Sequence, residues 1–132
     1  MNLRYGTPVP LPNLSFTVLD TETTGFIPRT NRVIEFASLR IEEGKIVDRF
    51  EELIAIPKND VPPVIQVLTR IRPDALNGKP TFDECKATIL EKIGEGTMIV
   101  GQNVSFDIKM LKGEGMDLSE RPWIDTSMLA SL

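Results

Sequence analysis

Residues 14–25 read Leu-Ser-Phe-Thr-Val-Leu-Asp-Thr-Glu-Thr-Thr-Gly. The first seven alternate and are apolar enough for a buried strand, with Phe16, Val18 and Asp20 on one face. If the strand continues through Glu22, its period of two puts the carboxylates of Asp20 and Glu22 on that same face. Two such neighbours repel unless a cation sits between them. Oxygen-only ligands suit Mg²⁺ or Mn²⁺ rather than zinc. Thr23, Thr24 and Gly25 then offer hydroxyls and close backbone approach to a nucleotide. Taken alone, a D-x-E triplet reads more simply as a solvated acidic turn closed by glycine.

Outward from this strand, residues 32–42 and 45–54 form two more, with Glu43-Gly44 as the tight turn of an antiparallel hairpin. Three strands in succession predict a meander. Residues 1–13 carry three prolines and read as an extended tail, leaving 14–132 as the domain. Residues 55–63 are a proline-bounded loop, Val64–Thr69 a short helix and 70–80 another turn. Thr81 and Glu84 form a capping box that opens a helix. Phe82, Cys85, Ile89 and Ile93 give it an apolar face, with Cys85 a core thiol, and Gly94 and Gly96 end it. Thr97–Gly101 reads as a strand, Ser105–Lys112 as a helix stopped at Gly113, Trp123–Asp125 as a last strand, and Thr126–Leu132 as the start of a helix. That helix carries no C-cap, so the chain reads as a fragment, or as a fold that something else completes.

Composition narrows the chemistry. A chain of 132 residues suits one domain, and 41% hydrophobic with 26% charged residues argues against disorder. One cysteine allows no internal disulfide. Zero histidines remove a Ser-His-Asp triad, a histidine zinc site and an imidazole base from this chain. The net charge of −4 argues against coating nucleic acid by bulk positive charge. A local strip remains open, because Lys58, Arg70, Arg72 and Lys79 outnumber Asp60 and Asp74 within 57–80. No signal pattern and no membrane-length apolar run is present, so no membrane partner and a cytoplasmic location are expected.

The second informative stretch is Gly101-Gln102-Asn103-Val104-Ser105-Phe106-Asp107. It follows a strand and opens a helix. Asp107 falls in the first turn, where the helix dipole by itself favours a carboxylate. Asn103 reads equally as a turn or cap residue.

Together, D-T-E-T-T-G followed after about eighty residues by N-x-x-F-D resembles the DEDD (DnaQ-like) family of 3′→5′ exonucleases. That family includes the proofreading epsilon subunit of bacterial DNA polymerase III and RNase T. Pro63, Leu68-Thr69, Ile71, Leu76, Pro80-Thr81-Phe82 and Trp123-Ile124-Asp125-Thr126 are similar to its intervening and following segments. The resemblance implies an α/β, RNase H-like mixed sheet: an antiparallel three-strand meander plus parallel strands, with flanking helices, truncated at the C-terminus. It implies that Asp20, Glu22 and Asp107 are catalytic and hold two divalent ions, Mg²⁺ or Mn²⁺. In the family these ions clamp the attacking and leaving oxygens of a phosphodiester. Thr23, Gly25 and Phe26 match positions near the terminal nucleotide, Leu68 a wedge near the terminal bases, and Asn103 a position near the substrate. Phe106 matches a second-motif position of structural character. The implied partners are single-stranded DNA or RNA 3′ ends, with a polymerase or a second chain completing the site.

Several positions depart from the family pattern. The third motif, a His or Tyr ahead of a fourth Asp, is absent from the 132 residues. Gln102 stands where many members have His. Arg70 stands where Leu-Thr-Gly-Ile would have Gly, which opens a change of backbone conformation there. Asp117 and Asp125 do not substitute for the fourth Asp; Asp125 is expected to begin the last helix. Loss of a general base costs typically 10²–10⁴-fold in rate, so the chain alone is expected to be weak or inactive. The alternative is a non-catalytic nuclease-fold module that binds nucleic acid or a polymerase. A haloacid-dehalogenase-type phosphatase would want D-x-D, and Glu22 speaks against it.

Overall fold

The computed structural model describes residues 14–129, so the proposed tail at 1–13 and the last three residues lie outside the described residues. Three strands, β1 (Ser15–Thr23), β2 (Val33–Glu42) and β3 (Lys45–Leu53), form the antiparallel meander. Glu43 and Gly44 both take positive φ (52° and 75°), the two-residue turn whose twist matches its strands. β4 (Met98–Gly101) pairs parallel with β1, and β5 (Trp123–Asp125) parallel with β4. The sheet order is β3-β2-β1-β4-β5. The helices are α1 (Pro63–Thr69), α2 (Phe82–Ile93), α3 (Val104–Gly113) and α4 (Thr126–Leu129). Two 3₁₀ turns, Pro57–Asn59 and Pro73–Leu76, punctuate the proline-rich middle.

The capping box forms as read: Thr81 N–H donates to Glu84 Oε1 at 2.9 Å and Glu84 N–H to Thr81 Oγ1 at 3.3 Å. It starts α2 with Phe82, Cys85, Ile89 and Ile93 buried. These pack with Leu19, Phe36 and Ile99 of the sheet and with Ile108 and Leu111 of α3 in one core. A smaller core of Ile34, Ile56, Val61, Ile65, Ile71 and Leu76 holds the proline-rich segment to the sheet edge. Burying branched apolar side chains at roughly 1.5–3 kcal/mol each is what orders a segment otherwise poor in regular structure. Among the described residues no helix is long and apolar enough to cross a membrane.

Two local readings change. Gly113 is the last residue of α3 rather than its stop; the positive φ of 94° falls at Gly115, after Glu114 at the cap. Arg70 takes φ 62° and ψ 18°, so it stays in the left-handed region that glycine favours. Its amide donates to Gln66 O at 2.9 Å and closes α1. A side chain there costs roughly 1–2 kcal/mol against the following carbonyl. Arg70→Gly is therefore expected to raise unfolding free energy by about 0.5–1 kcal/mol, after glycine's greater chain entropy is subtracted. Urea titration of both proteins checks this; a less stable variant would show that the Arg70 side chain contributes more than its strain removes.

Candidate active site

Strand alternation sorts β1 into two functions. Thr17, Leu19, Thr21 and Thr23 are buried beneath the helices, while Val18, Asp20 and Glu22 turn to the other face of the sheet. Asp20 is exposed and pairs in register with Ala37; Glu22 is half-buried and pairs with Glu35. Partners directly opposite in an antiparallel ladder project to the same side, so Glu35 joins the acidic patch. Burial first, then Asp20 and Glu35, pushes the Glu22 carboxyl above its ordinary range. Burial first, then Glu51 and Asp20, does the same to Glu35. Asp20 sits where two clefts meet. One, of about 580 Å³, runs along Val18, Ala37, Leu39, Arg49 and Glu51. The other, of about 520 Å³, runs past Gly101, Gln102 and Asn103 to Thr126.

The second segment reaches this point because β4 lies beside β1. A Cβ at Gly101 would stand 2.7 Å from Leu19 O and 2.9 Å from Val104 Cγ2. Only glycine lets the turn into α3 close so tightly on β1. Asn103 follows at φ 54°, ψ 39°, and its side chain does not cap the helix. Its amide donates to Asp125 Oδ1 at 2.9 Å. The same oxygen accepts from Ser127 N at 2.9 Å and Ser127 Oγ at 2.6 Å. Asp125 thus begins α4, as expected, and also pins Asn103. The Ser127 hydroxyl is the largest cause holding the Asp125 carboxyl below its usual range.

Asp107 lies in the first turn of α3 and is 3% exposed. Its Oδ1 accepts from the Thr21 hydroxyl, on the covered side of β1. Burial is the main cause that lifts its pKa to about 7; the Thr21 bond pulls it down, and Asp20 and Glu22 push it further up. The three carboxylates feel one another, yet Asp107 is bonded on one side of β1 while Asp20 and Glu22 project from the other. Among the described residues no three His, Cys, Asp or Glu side chains gather to hold a metal ion. The donor chemistry still fits a hard divalent cation: three carboxylates, with Glu22 and Asp107 both carrying charge that a cation would offset.

The remaining candidates divide. Thr23 is buried and its hydroxyl donates to Gly25 O at 2.7 Å, so it shapes the turn. Phe26 is 77% exposed, with its ring centroid 6.0 Å from that of Phe106, which packs against the core. Leu68 is 69% exposed on α1 beside Val64 and Val67, and lines neither cleft. In the 57–80 strip, Arg72 is drawn to Asp74 at 3.5 Å. Cys85 is buried, and that burial pushes its thiol up, as an unreactive core residue requires.

Three residues escaped the sequence reading: Thr21, Glu35 and Asp125 as a tie to Asn103. Thr21 had a signal, because a polar side chain on the covered face of β1 needs a buried partner. Glu35 and Asp125 had none short of the strand register.

The family pattern described as Exonuclease matches residues 17–129. The PolC-type DNA polymerase III of Clostridium perfringens is 35% identical over 118 residues, covering 87% of this chain and 8% of that polymerase. The DNA polymerase III epsilon subunit of Aquifex aeolicus is 37% identical over 97 residues, covering 74% of this chain and 47% of the subunit. The chain therefore spans under a tenth of the PolC-type relatives and about half of the epsilon subunits. Among solved structures, Exonuclease X in complex with 5′ overhanging duplex DNA superposes with a TM-score of 0.68 at 27% identity, covering 87% of this chain and 61% of that one. Apo Exonuclease I superposes at 0.75 with 19% identity, a likeness of fold that covers 89% of this chain and 30% of that one. The expected RNase H-like arrangement, a meander joined to parallel strands with helices, is thereby borne out. With the match running from β1 through α4 and taking in both acidic segments, the chain belongs to the exonuclease family.

Proposed function

We propose that this chain is a metal-dependent 3′→5′ exonuclease domain that hydrolyses phosphodiester bonds at single-stranded nucleic acid ends. One observation carries the reading: the parallel β1–β4 pair brings Asp20 and Asn103, from separate motifs, to the wall of one cleft. Asp20, Glu22 and Asp107 would hold the divalent ions, Mg²⁺ or Mn²⁺. When bound, such ions supply charge stabilisation at the scissile phosphate and lower the pKa of a water. Asp20 and Glu22 present their carboxylates from the open sheet face, and the Thr21 hydroxyl orients Asp107. Asn103, fixed through its backbone by Asp125, keeps its side chain for the substrate. Phe26, braced by Phe106, offers a ring on which a terminal base stacks, worth roughly 1–3 kcal/mol. Gly25 lets the turn close on the Asn31 side chain, whose Oδ1 stands 2.6 Å from where a Cβ would be, and so presents its backbone to the terminal nucleotide; Leu68 offers an apolar edge to the last bases. A single strand fits a chain of net charge −4, since few nucleotides need be held. The 132 residues hold no histidine, so a histidine base, where one operates, comes from outside them. The polymerase context of the relatives makes a polymerase the favoured partner.

The test is a 5′-labelled single-stranded oligonucleotide with the chain in excess and Mn²⁺ present. A slow ladder receding from the 3′ end, visible only with the chain in excess, is expected of 132 residues that hold no histidine base. Release of phosphate from a small phosphomonoester with no ladder would overturn the reading. The second reading, a non-catalytic module on the same fold, has the ungathered carboxylates in its favour. Absence of a ladder together with oligonucleotide binding that is indifferent to Mn²⁺ would establish it.

A further inference from the structure

A third groove, of about 450 Å³, lies between the loop after β1 and the C-terminal half of α3, lined by Pro28, Arg29, Lys109, Lys112 and Gly113. The loop is built to hold its position. Thr24 N–H donates to Arg32 O at 2.9 Å, Asn31 N–H to Ile27 O at 2.7 Å, and Ile27 N–H to Asn31 Oδ1 at 2.9 Å. The Arg32 guanidinium grips Glu114 at 3.0–3.1 Å, and Glu114 Oε2 also accepts from Val33 N at 2.8 Å. At Gly113 a Cβ would stand 2.4 Å from Pro28 O, so this helix position must be bare for the loop to seat.

The consequence is electrostatic. Arg29, Lys109 and Lys112 line one groove, and among the described residues none is in an ion pair within 4.0 Å. Glu114, the carboxylate at this end of α3, is occupied by Arg32 and Val33. Asp117 feels the charge of Lys112, but its carboxylate is bonded to Ser119. Three like charges converge in a chain whose net charge is −4. Such a concentration repels itself and draws anions. The groove also has a direction. Phe106, Lys109 and Gly113 share one side of α3 at spacings of three and four, and Phe106 meets Phe26 at the proposed nucleotide end. At 1.5 Å rise per residue, Lys109 and Lys112 lie about 4.5 and 9 Å along the axis from Phe106. That axial step is of the order of the roughly 3.4 Å of axial rise per phosphate along one strand of a helix.

We infer that Arg29, Lys109 and Lys112 form a phosphate-binding strip that holds the nucleic acid strand beyond its terminal nucleotide. The identity of the occupant rests on the exonuclease reading; the strip itself rests on the groove. It makes the substrate an oligomer of several nucleotides rather than a mono- or dinucleotide.

The experiment measures anisotropy of a labelled single-stranded 12-mer in EDTA, across salt concentrations. It compares the chain with its Arg29→Gln/Lys109→Gln/Lys112→Gln variant, each checked by circular dichroism. Each single-strand phosphate contact contributes a slope of about 0.7 in log K against log salt. The triple variant is expected to lose about 2 from that slope and about 10²-fold or more in affinity near 50 mM salt. Each single variant should lose about 0.7, which keeps the test open if the triple variant fails to fold. Equal affinity and slope for variant and parent would overturn the strip. So would cation-dependent binding of polyglutamate with oligonucleotide binding unchanged. A 3′ ladder in Mn²⁺ with equal 12-mer binding would reject the strip and leave the nuclease reading intact. Strip-dependent binding without a ladder would do the reverse.

Discussion

Asp20→Ala is expected to reduce Mn²⁺-dependent shortening of a single-stranded oligonucleotide by about 10³-fold or more, with no loss of stability. A ligand that supports charge stabilisation worth several kcal/mol commands a rate factor of that order. Asp20 lines both clefts that meet at the β1–β4 end of the sheet, and its side chain is solvent-exposed. Truncating it opens no cavity. It also removes a charge that raises both Glu22 and Asp107, so the folded chain should melt at the same temperature or slightly higher. Single-turnover assays with enzyme in excess give the rate, and Asp117→Ala serves as a control on an acid outside the clefts. An Asp20→Ala rate within threefold of the parent would end the assignment.

Asp107→Asn should separate activity from stability. The amide keeps an Oδ1 acceptor for the Thr21 hydroxyl and the same volume, while removing a buried ionisable group. Cleavage should fall as far as in Asp20→Ala. Stability in EDTA should instead rise by about 1–2 kcal/mol at pH 8, discounted from the full cost of the shift for residual solvation. The sign follows from linkage. The Asp107 pKa is near 7 when folded and near the ordinary 3.8 when unfolded. The folded state therefore holds its proton more tightly, and the associated stability is complete below pH 3.8 and lost as pH rises through 7. The advantage of the asparagine should be negligible near pH 3.5, grow through pH 4–7, and level off above. Thermal melts at three pH values read this directly. A pH-independent difference would mean that Asp107 titrates normally and that the bond to Thr21 does not hold it buried. A variant both stable and fully active would remove Asp107 from the site.

These two carboxylates also mark how far the amino-acid order is legible. The alternation of residues 14–20, the Glu43-Gly44 turn and the Thr81–Glu84 box are local signals, and each forms the element read from it. Asp20 and Glu22 share a face because strand geometry has a period of two, which no tertiary contact can alter without breaking the strand. Asp107 starts a helix for an equally local reason, the favourable dipole of the first turn.

What lies across the fold is a different matter. Glu35 faces Glu22 only through the β1–β2 register, which holds from Ser15 to Glu22 and then slips at a bulge. The pairing of Thr21 with Asp107 spans 86 positions, and that of Asn103 with Asp125 spans 22. The groove at Lys109 and Lys112 exists because Gly113 admits the carbonyl of Pro28, a contact that no periodicity announces. The sequence by itself determined the elements, the two motif segments and the family they resemble, because those depend on nearest neighbours along the chain. Only the tertiary structure decided which carboxylates line a cleft, which one the Thr21 hydroxyl holds, and where the positive charge collects. Those outcomes depend on distance through space, where burial and Coulomb forces act regardless of separation in sequence.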